Sequence, residues 1–154
     1  MKPGKRILIV TDGAKPTIAL AKRIAAKAAR MIHAGRAPTI VSAGDFTATD
    51  ILPAVLCFFG CEQPHPPSFA HLEEVLRHIN LAGRPCGLFS PGSADAIGYL
   101  SGIVRDAELA AYDRGLVVPV PGIPASGIPE KEELIDWIEA VVEPITEEMY
   151  GRKI

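Results

Sequence analysis

The chain has 154 residues, 48% of them hydrophobic, with 16 basic against 18 acidic side chains and a formal net charge of -2. That is the size of one ordinary domain with enough apolar residues for a full core, so disulfide staples are not needed. The balance of charge gives no electrostatic footprint for nucleic acid or an anionic membrane, and no apolar run reaches the roughly 18 residues of a membrane span.

The basic start Met1-Lys2-Pro3-Gly4-Lys5-Arg6 leads into only four apolar residues, too few for a signal-peptide core, so a cytosolic location is expected. Those four, Ile7-Leu8-Ile9-Val10, form the kind of continuous run that makes a strand buried on both faces. Pro16 then stands where a helix tolerates a missing N–H. Ile18, Ala21, Ile24, Ala25, Ala28 and Ile32 recur at helical spacing, Lys22, Arg23, Lys27 and Arg30 lie largely opposite, and Gly35 is the expected stop. Residues 37–41 read as a second strand and 45–53 as a polar connection with one helical turn, capped by Thr47 or Thr49. The third strand, 55–59, is the most apolar stretch. An amphipathic helix over 69–79 uses Leu72, Val75, Leu76 and Ile79, with Ser68 as its N-cap. Residues 85–89 give the fourth strand, followed by a helix over 94–112 in which Gly98 and Gly102 would permit close approach to the sheet. Residues 116–120 are the fifth strand, and Pro119 and Pro121 assign its end to a sheet edge. Pro129 opens the last helix, with Glu130, Glu132 and Glu133 in a first turn that favours negative charge. Pro144 weakens its continuation, leaving 145–154 as a tail. Strands alternating with helices predict an α/β fold: one domain over 1–154 with a doubly wound, five-stranded parallel sheet.

In such a sheet the turns after the strands gather at the carboxyl edge, where ligands bind. Three of them carry the candidate residues. Thr11, Gly13, Ala14, Lys15 and Thr17 follow the first strand and offer hydroxyls, a cation and helix N-terminal N–H groups suited to a phosphate. Gly60, Cys61 and His65 follow the third strand, and Ser90, Gly92, Ser93 and Asp95 follow the fourth. Each group has a purely structural reading as well: a strand-to-helix turn, an inert small residue at a strand end, a helix entry. No metal motif and no nucleophile triad is present. Cys57 and Cys61, four apart on a strand, would lie about 13 Å apart, beyond the roughly 7 Å reach of a disulfide. An odd total of three cysteines fits a reducing compartment.

The block Asp50-Ile51-Leu52-Pro53-Ala54-Val55-Leu56-Cys57-Phe58-Phe59-Gly60 resembles the flavodoxin family's approach to its third strand and first flavin loop. Phe89-Ser90-Pro91-Gly92-Ser93 with Tyr99-Leu100-Ser101-Gly102 resembles the second flavin loop and its helix, and Ile128-Pro129-Glu130 into Ile135-Asp136-Trp137 the closing helix. The resemblance covers nearly the whole chain. It implies strand order 2-1-3-4-5, flavin mononucleotide (FMN) as cofactor, electron transfer or flavin-dependent redox chemistry, and redox protein partners. Phosphate would rest on Thr11, Gly13, Ala14, Lys15 and Thr17, and the ring between residues 60–65 and 90–95.

The chain also departs from the family. The central Thr-Gly-Asn of the phosphate loop is absent, Pro16 removes a backbone donor, and Asp12 sets a carboxylate near the expected dianion. The aromatic flanks of the ring are missing, with His65 the one candidate in the first loop and Ile97 at the tyrosine position of the second. The sequence therefore supports three readings: an FMN protein, a scaffold that has lost FMN and serves as a protein-binding or assembly module, a dimer included, or a site for another small anion. Whether the chain is an enzyme stays open.

Overall fold

The computed structural model describes residues 6–34 and 36–150. The expected stop at Gly35 lies outside them. The order of elements is β1 (Ile7–Thr11), α1 (Lys15–Met31), β2 (Thr39–Ser42), a 3-10 turn (Ala43–Asp45), α2 (Ala48–Ile51), β3 (Leu56–Gly60), α3 (Phe69–Arg77), β4 (Pro85–Ser90), α4 (Ala94–Asp106), β5 (Ala110–Ala111), β6 (Leu116–Val117) and α5 (Glu130–Tyr150). All pairings between these strands are parallel, in the order β2-β1-β3-β4-β5, with β6 also on β4.

Alternation along each central strand divides the core into two layers. Leu8 and Val10 of β1, Cys57 and Phe59 of β3, and Cys86 and Leu88 of β4 pack with Leu72, Leu76, Leu100 and Val104 from α3 and α4. Ile7, Ile9, Leu56, Phe58 and Phe89 pack on the other face with Leu20, Ile24, Trp137, Ile138 and Val141 from α1 and α5. Gly87 makes room for that second layer: a Cβ there would stand 2.8 Å from the Phe58 ring and 3.0 Å from Trp137. Trp137 packs its ring 5.6 Å from Phe58 and donates its Nε1–H to the Arg114 carbonyl at 2.8 Å.

Four expectations change. The fifth strand is two short pieces rather than one over 116–120: Ala110–Ala111 pairs with Pro85 and Cys86, and Leu116–Val117 with Phe89 and Ser90. The preceding helix accordingly stops at Asp106 and not at 112, with Glu108 beyond it at φ 60. Gly98 and Gly102 are exposed, and a Cβ on either meets nothing within 4 Å, so neither brings α4 closer to the sheet. Finally, α5 runs through Pro144 to Tyr150. Ile145, just beyond the proline, is 6% exposed and packs in the second core layer, which holds the helix together where Pro144 removes a hydrogen bond.

Among the described residues no helix is long and apolar enough to cross a membrane. None of their His, Cys, Asp and Glu side chains form a group of three or more able to hold a metal ion.

Candidate functional site

The turns after β1, β3 and β4 meet at the carboxyl edge of the sheet, so the topology brings all three candidate groups together. Register fixes their level: Thr11 pairs with Gly60, and Gly60 with Phe89. Several of their backbone donors, the N–H groups of Gly13, Ala14, Gly92 and Ser93, are already engaged by neighbouring side chains.

After β1, the buried Thr11 accepts the Gly13 N–H on Oγ1 at 3.2 Å. Gly13 turns the chain at φ +83, a conformation that glycine adopts without strain. Asp12 makes two bonds of longer consequence. Its Oδ1 accepts the N–H of Ala14, the N-cap of α1, at 3.0 Å, and its Oδ2 accepts the N–H of Glu62 at 2.9 Å. One carboxylate thus sits at the positive end of α1 and fastens it to the turn after β3. Ser68 adds a third tie, donating to the Asp12 carbonyl at 3.4 Å. Lys15 and Pro16 are exposed at the start of α1. Thr17 is fully buried, and its Oγ1 has no hydrogen-bond partner.

After β3, Gly60 lies within the ladder, and its missing side chain is accounted for by packing: a Cβ there would be 2.2 Å from the Phe89 ring. Cys61 is fully buried. Burial, with the Asp12 charge adding to it, pushes its thiol up to about 12, so it remains a neutral thiol with little nucleophilic character. Cys57 and Cys86 are likewise buried and free. His65 is exposed, holds a left-handed backbone at φ 55, and lays its ring 4.4 Å from that of Tyr99. Tyr99 also faces Phe69 at 6.0 Å.

After β4, the buried Ser90 hydroxyl accepts the N–H groups of Gly92 at 2.9 Å and Ser93 at 3.1 Å. Ser93 is the N-cap of α4, and Asp95 is exposed in its first turn. Gly92 abuts the turn after β3 so closely that a Cβ on it would lie 2.1 Å from the Glu62 carbonyl oxygen. The two turns expected to flank a ring are therefore in backbone contact. Beside them, Pro16, Leu20, Glu62, Pro91, Val118 and Pro121 line a cavity of about 230 Å³. On the segment after β6, Val120, Ile123 and Ile128 are 51%, 58% and 38% exposed.

Two contributors carry no local signal as what they are. Tyr99 lies two positions from Ile97, where the family pattern places the aromatic, and meets His65 only because the β3 turn folds back over α4. Asp12 reads as an obstacle to phosphate, but its bond to an N–H fifty residues on is a tertiary fact.

No family model and no curated protein matches the chain by sequence. Solved structures match it along nearly its whole length. Oxidised Flavodoxin 2 from Bacillus cereus is 16% identical at a TM-score of 0.72, covering 90% of this chain and 99% of that one. A flavodoxin from the domain Archaea is 14% identical at 0.68, covering 92% and 99%. Fusobacterium nucleatum flavodoxin bound to flavin mononucleotide is 14% identical at 0.58, covering 94% and 98%. With its parallel sheet in the order 2-1-3-4-5, the chain has the flavodoxin-like fold.

Proposed function

We propose that this chain is a flavodoxin-like binding or assembly module whose crevice is closed by its own groups, and that in this closed form it does not carry FMN. The observation behind the reading is Asp12, which takes up the Ala14 and Glu62 N–H groups at 3.0 and 2.9 Å. A phosphate brought to the same donors meets a fixed negative charge. Two unit charges about 4 Å apart repel by about 4 kcal/mol at the effective dielectric of a protein surface. That exceeds the roughly 1.5–3 kcal/mol of one charge-assisted hydrogen bond. At the ring end, the Gly92 backbone lies directly against the Glu62 carbonyl, so the two turns touch there. The exposed Val120, Ile123 and Ile128 on the segment after β6 are the surface offered to a protein partner.

A second reading, FMN-dependent electron transfer with redox protein partners, draws on a separate observation: Thr11, Lys15 and Thr17 are retained at the β1 turn of a fold whose solved relatives include an FMN complex. Bound there, FMN would supply the redox chemistry, and those three residues would hold its phosphate. Asp12 would have to swing out and the turns after β3 and β4 to part.

Titrating purified protein with FMN, with riboflavin as the control, separates the two by flavin fluorescence. The closed-crevice reading expects no quenching of either. Tight quenching of FMN with weak quenching of riboflavin would replace it with the electron-transfer reading.

A further inference from the structure

We infer that this chain pairs with a second copy of itself through the outer faces of α1 and α5, the basic helix of each copy lying on the acidic helix of the other. These faces belong to the helix layer on one side of the sheet and not to the crevice at its edge, so the inference stands whether or not the crevice takes FMN.

The net charge of -2 conceals a separation of sign along the chain. Residues 1–36 hold nine of the 16 basic side chains and one of the 18 acidic ones. Within α1 there are five basic residues and no acidic one, and within α5 eight acidic residues and one basic. On α1, Lys22, Arg23 and Arg30 are exposed and Lys27 is half-buried, with the small Ala19 and Ala26 exposed among them. On α5, Glu132, Asp136 and Glu139 are exposed at spacings of four and three, which puts them on one side of the helix. Arg23 with Lys27, Lys27 with Arg30, Glu132 with Asp136, and Asp136 with Glu139 are therefore like-charge neighbours, which destabilise a helix standing alone. Among the described residues, one ion pair joins the two helices, Arg23 to Glu130 at 2.6 Å. Lys22, Lys27, Arg30, Glu132, Asp136 and Glu139 have no ion pair among the described residues.

The arrangement is self-complementary. The two helices lie side by side and run in the same direction: Arg23 meets Glu130, and Met31, further along α1, shares a groove of about 580 Å³ with Asp136, Glu139 and Ala140. Lys27 and Arg30 therefore stand level with the acids of α5. A two-fold axis running between the helices, along their length, keeps that level and exchanges left for right. It sets Lys27 and Arg30 of one copy against Asp136 and Glu139 of the other, and the same contacts recur across the axis, as an isologous interface requires. Opposite potentials facing each other steer and orient such an encounter. Half-buried Met31 and Ala140 in the groove give it apolar surface to cover. A nucleic acid or an anionic membrane drawn to α1 would meet the acids of α5 beside it, whereas a second copy answers both signs at once.

Sedimentation velocity of the wild-type chain at about 0.05 M and about 0.5 M sodium chloride tests the pairing, because the added salt shortens the reach of exposed charges. The expected result is a dimer whose dissociation constant rises at least about tenfold with the salt. Two reversal variants then test its geometry: Lys27→Glu with Arg30→Glu, and Asp136→Lys with Glu139→Lys. Each carries mostly one sign on both helices, so each alone should be monomeric, while a mixture of the two should form a heterodimer. Circular dichroism and thermal melts report whether the variants fold. Where a reversal does not, Arg30→Gln and Glu139→Gln remove a single charge at nearly constant shape, and each should weaken the dimer by a few-fold. A wild-type chain that stays monomeric at low salt up to about 100 μM overturns the inference. So does a dimer that the reversals or neutralisations leave intact, or a pair of folded reversal variants that do not associate with each other. None of these outcomes bears on the closed-crevice reading, which the FMN titration decides separately.

Discussion

Gly92 and Gly98, six positions apart, show how differently two glycines can act. A methyl group on Gly92 would be driven into the Glu62 carbonyl at 2.1 Å, and backbone cannot step aside as the end of a flexible side chain can. Gly92→Ala should therefore cost about 1–3 kcal/mol, the usual penalty of overpacking. Gly98 lies in α4 with nothing within 4 Å of a Cβ, so Gly98→Ala should raise stability by about 0.5–1 kcal/mol through helix propensity alone. Urea midpoints measured side by side check both signs. A Gly92→Ala protein as stable as wild type would mean that the turns after β3 and β4 do not touch in solution, and the ring slot would be open after all. The sequence separates a turn glycine from a helix glycine, but not the size of the penalty at Gly92, which lies in a contact with residue 62 that no local pattern encodes.

Among the elements, α2 is too short to hold itself: four residues leave most of its carbonyls without helical partners. Asp50 serves its start, accepting the Thr47 N–H at 2.8 Å, and this cap is legible in the sequence as a threonine three residues before an acid. Its end is held from elsewhere. Arg84, just before β4, donates from Nη1 to the carbonyls of Ile51 at 3.0 Å, Leu52 at 2.7 Å and Ala54 at 3.1 Å. Arg84→Ala should cost about 1–3 kcal/mol by leaving those acceptors to compete for water in a half-buried corner. Faster amide exchange confined to residues 48–55 should accompany it, and uniform exchange changes across the sheet would argue against a local clamp. The strands divide in the same way. β1, β3 and β4 announce themselves because both of their faces are buried, so that continuous apolar runs survive in the sequence. β5 does not, since Ala110–Ala111 is two small residues whose strand character comes only from pairing with Pro85 and Cys86. The last helix was expected to weaken at Pro144, yet Ile145 packs in the second core layer and tertiary burial overrides the local break.

For the molecule as a whole, the strongest chemical signature of the core is its response to alkali. Cys57 and Cys61 are pushed up to about 12 by burial, opposed slightly at Cys57 by Arg84 and reinforced at Cys61 by Asp12, while Cys86 and Tyr99 are raised by burial first. An unfolded thiol releases its proton near 9.0, so above that pH the unfolded chain binds fewer protons than the folded one. The stability these groups contribute is fully present below pH 9 and is lost as pH rises toward 12, at up to about 1.4 kcal/mol per pH unit for each thiol. Urea midpoints taken from pH 8 to pH 11 should fall steadily, and Cys61→Ala should make the decline shallower by one thiol's share. At pH 8 a thiol reagent should label none of the three cysteines until urea unfolds the chain. Rapid native labelling of Cys61 would show that the turn after β3 opens readily. That would take away the seal that Asp12 and Gly92 form over the crevice, since the same turn carries the Glu62 groups that both of them touch.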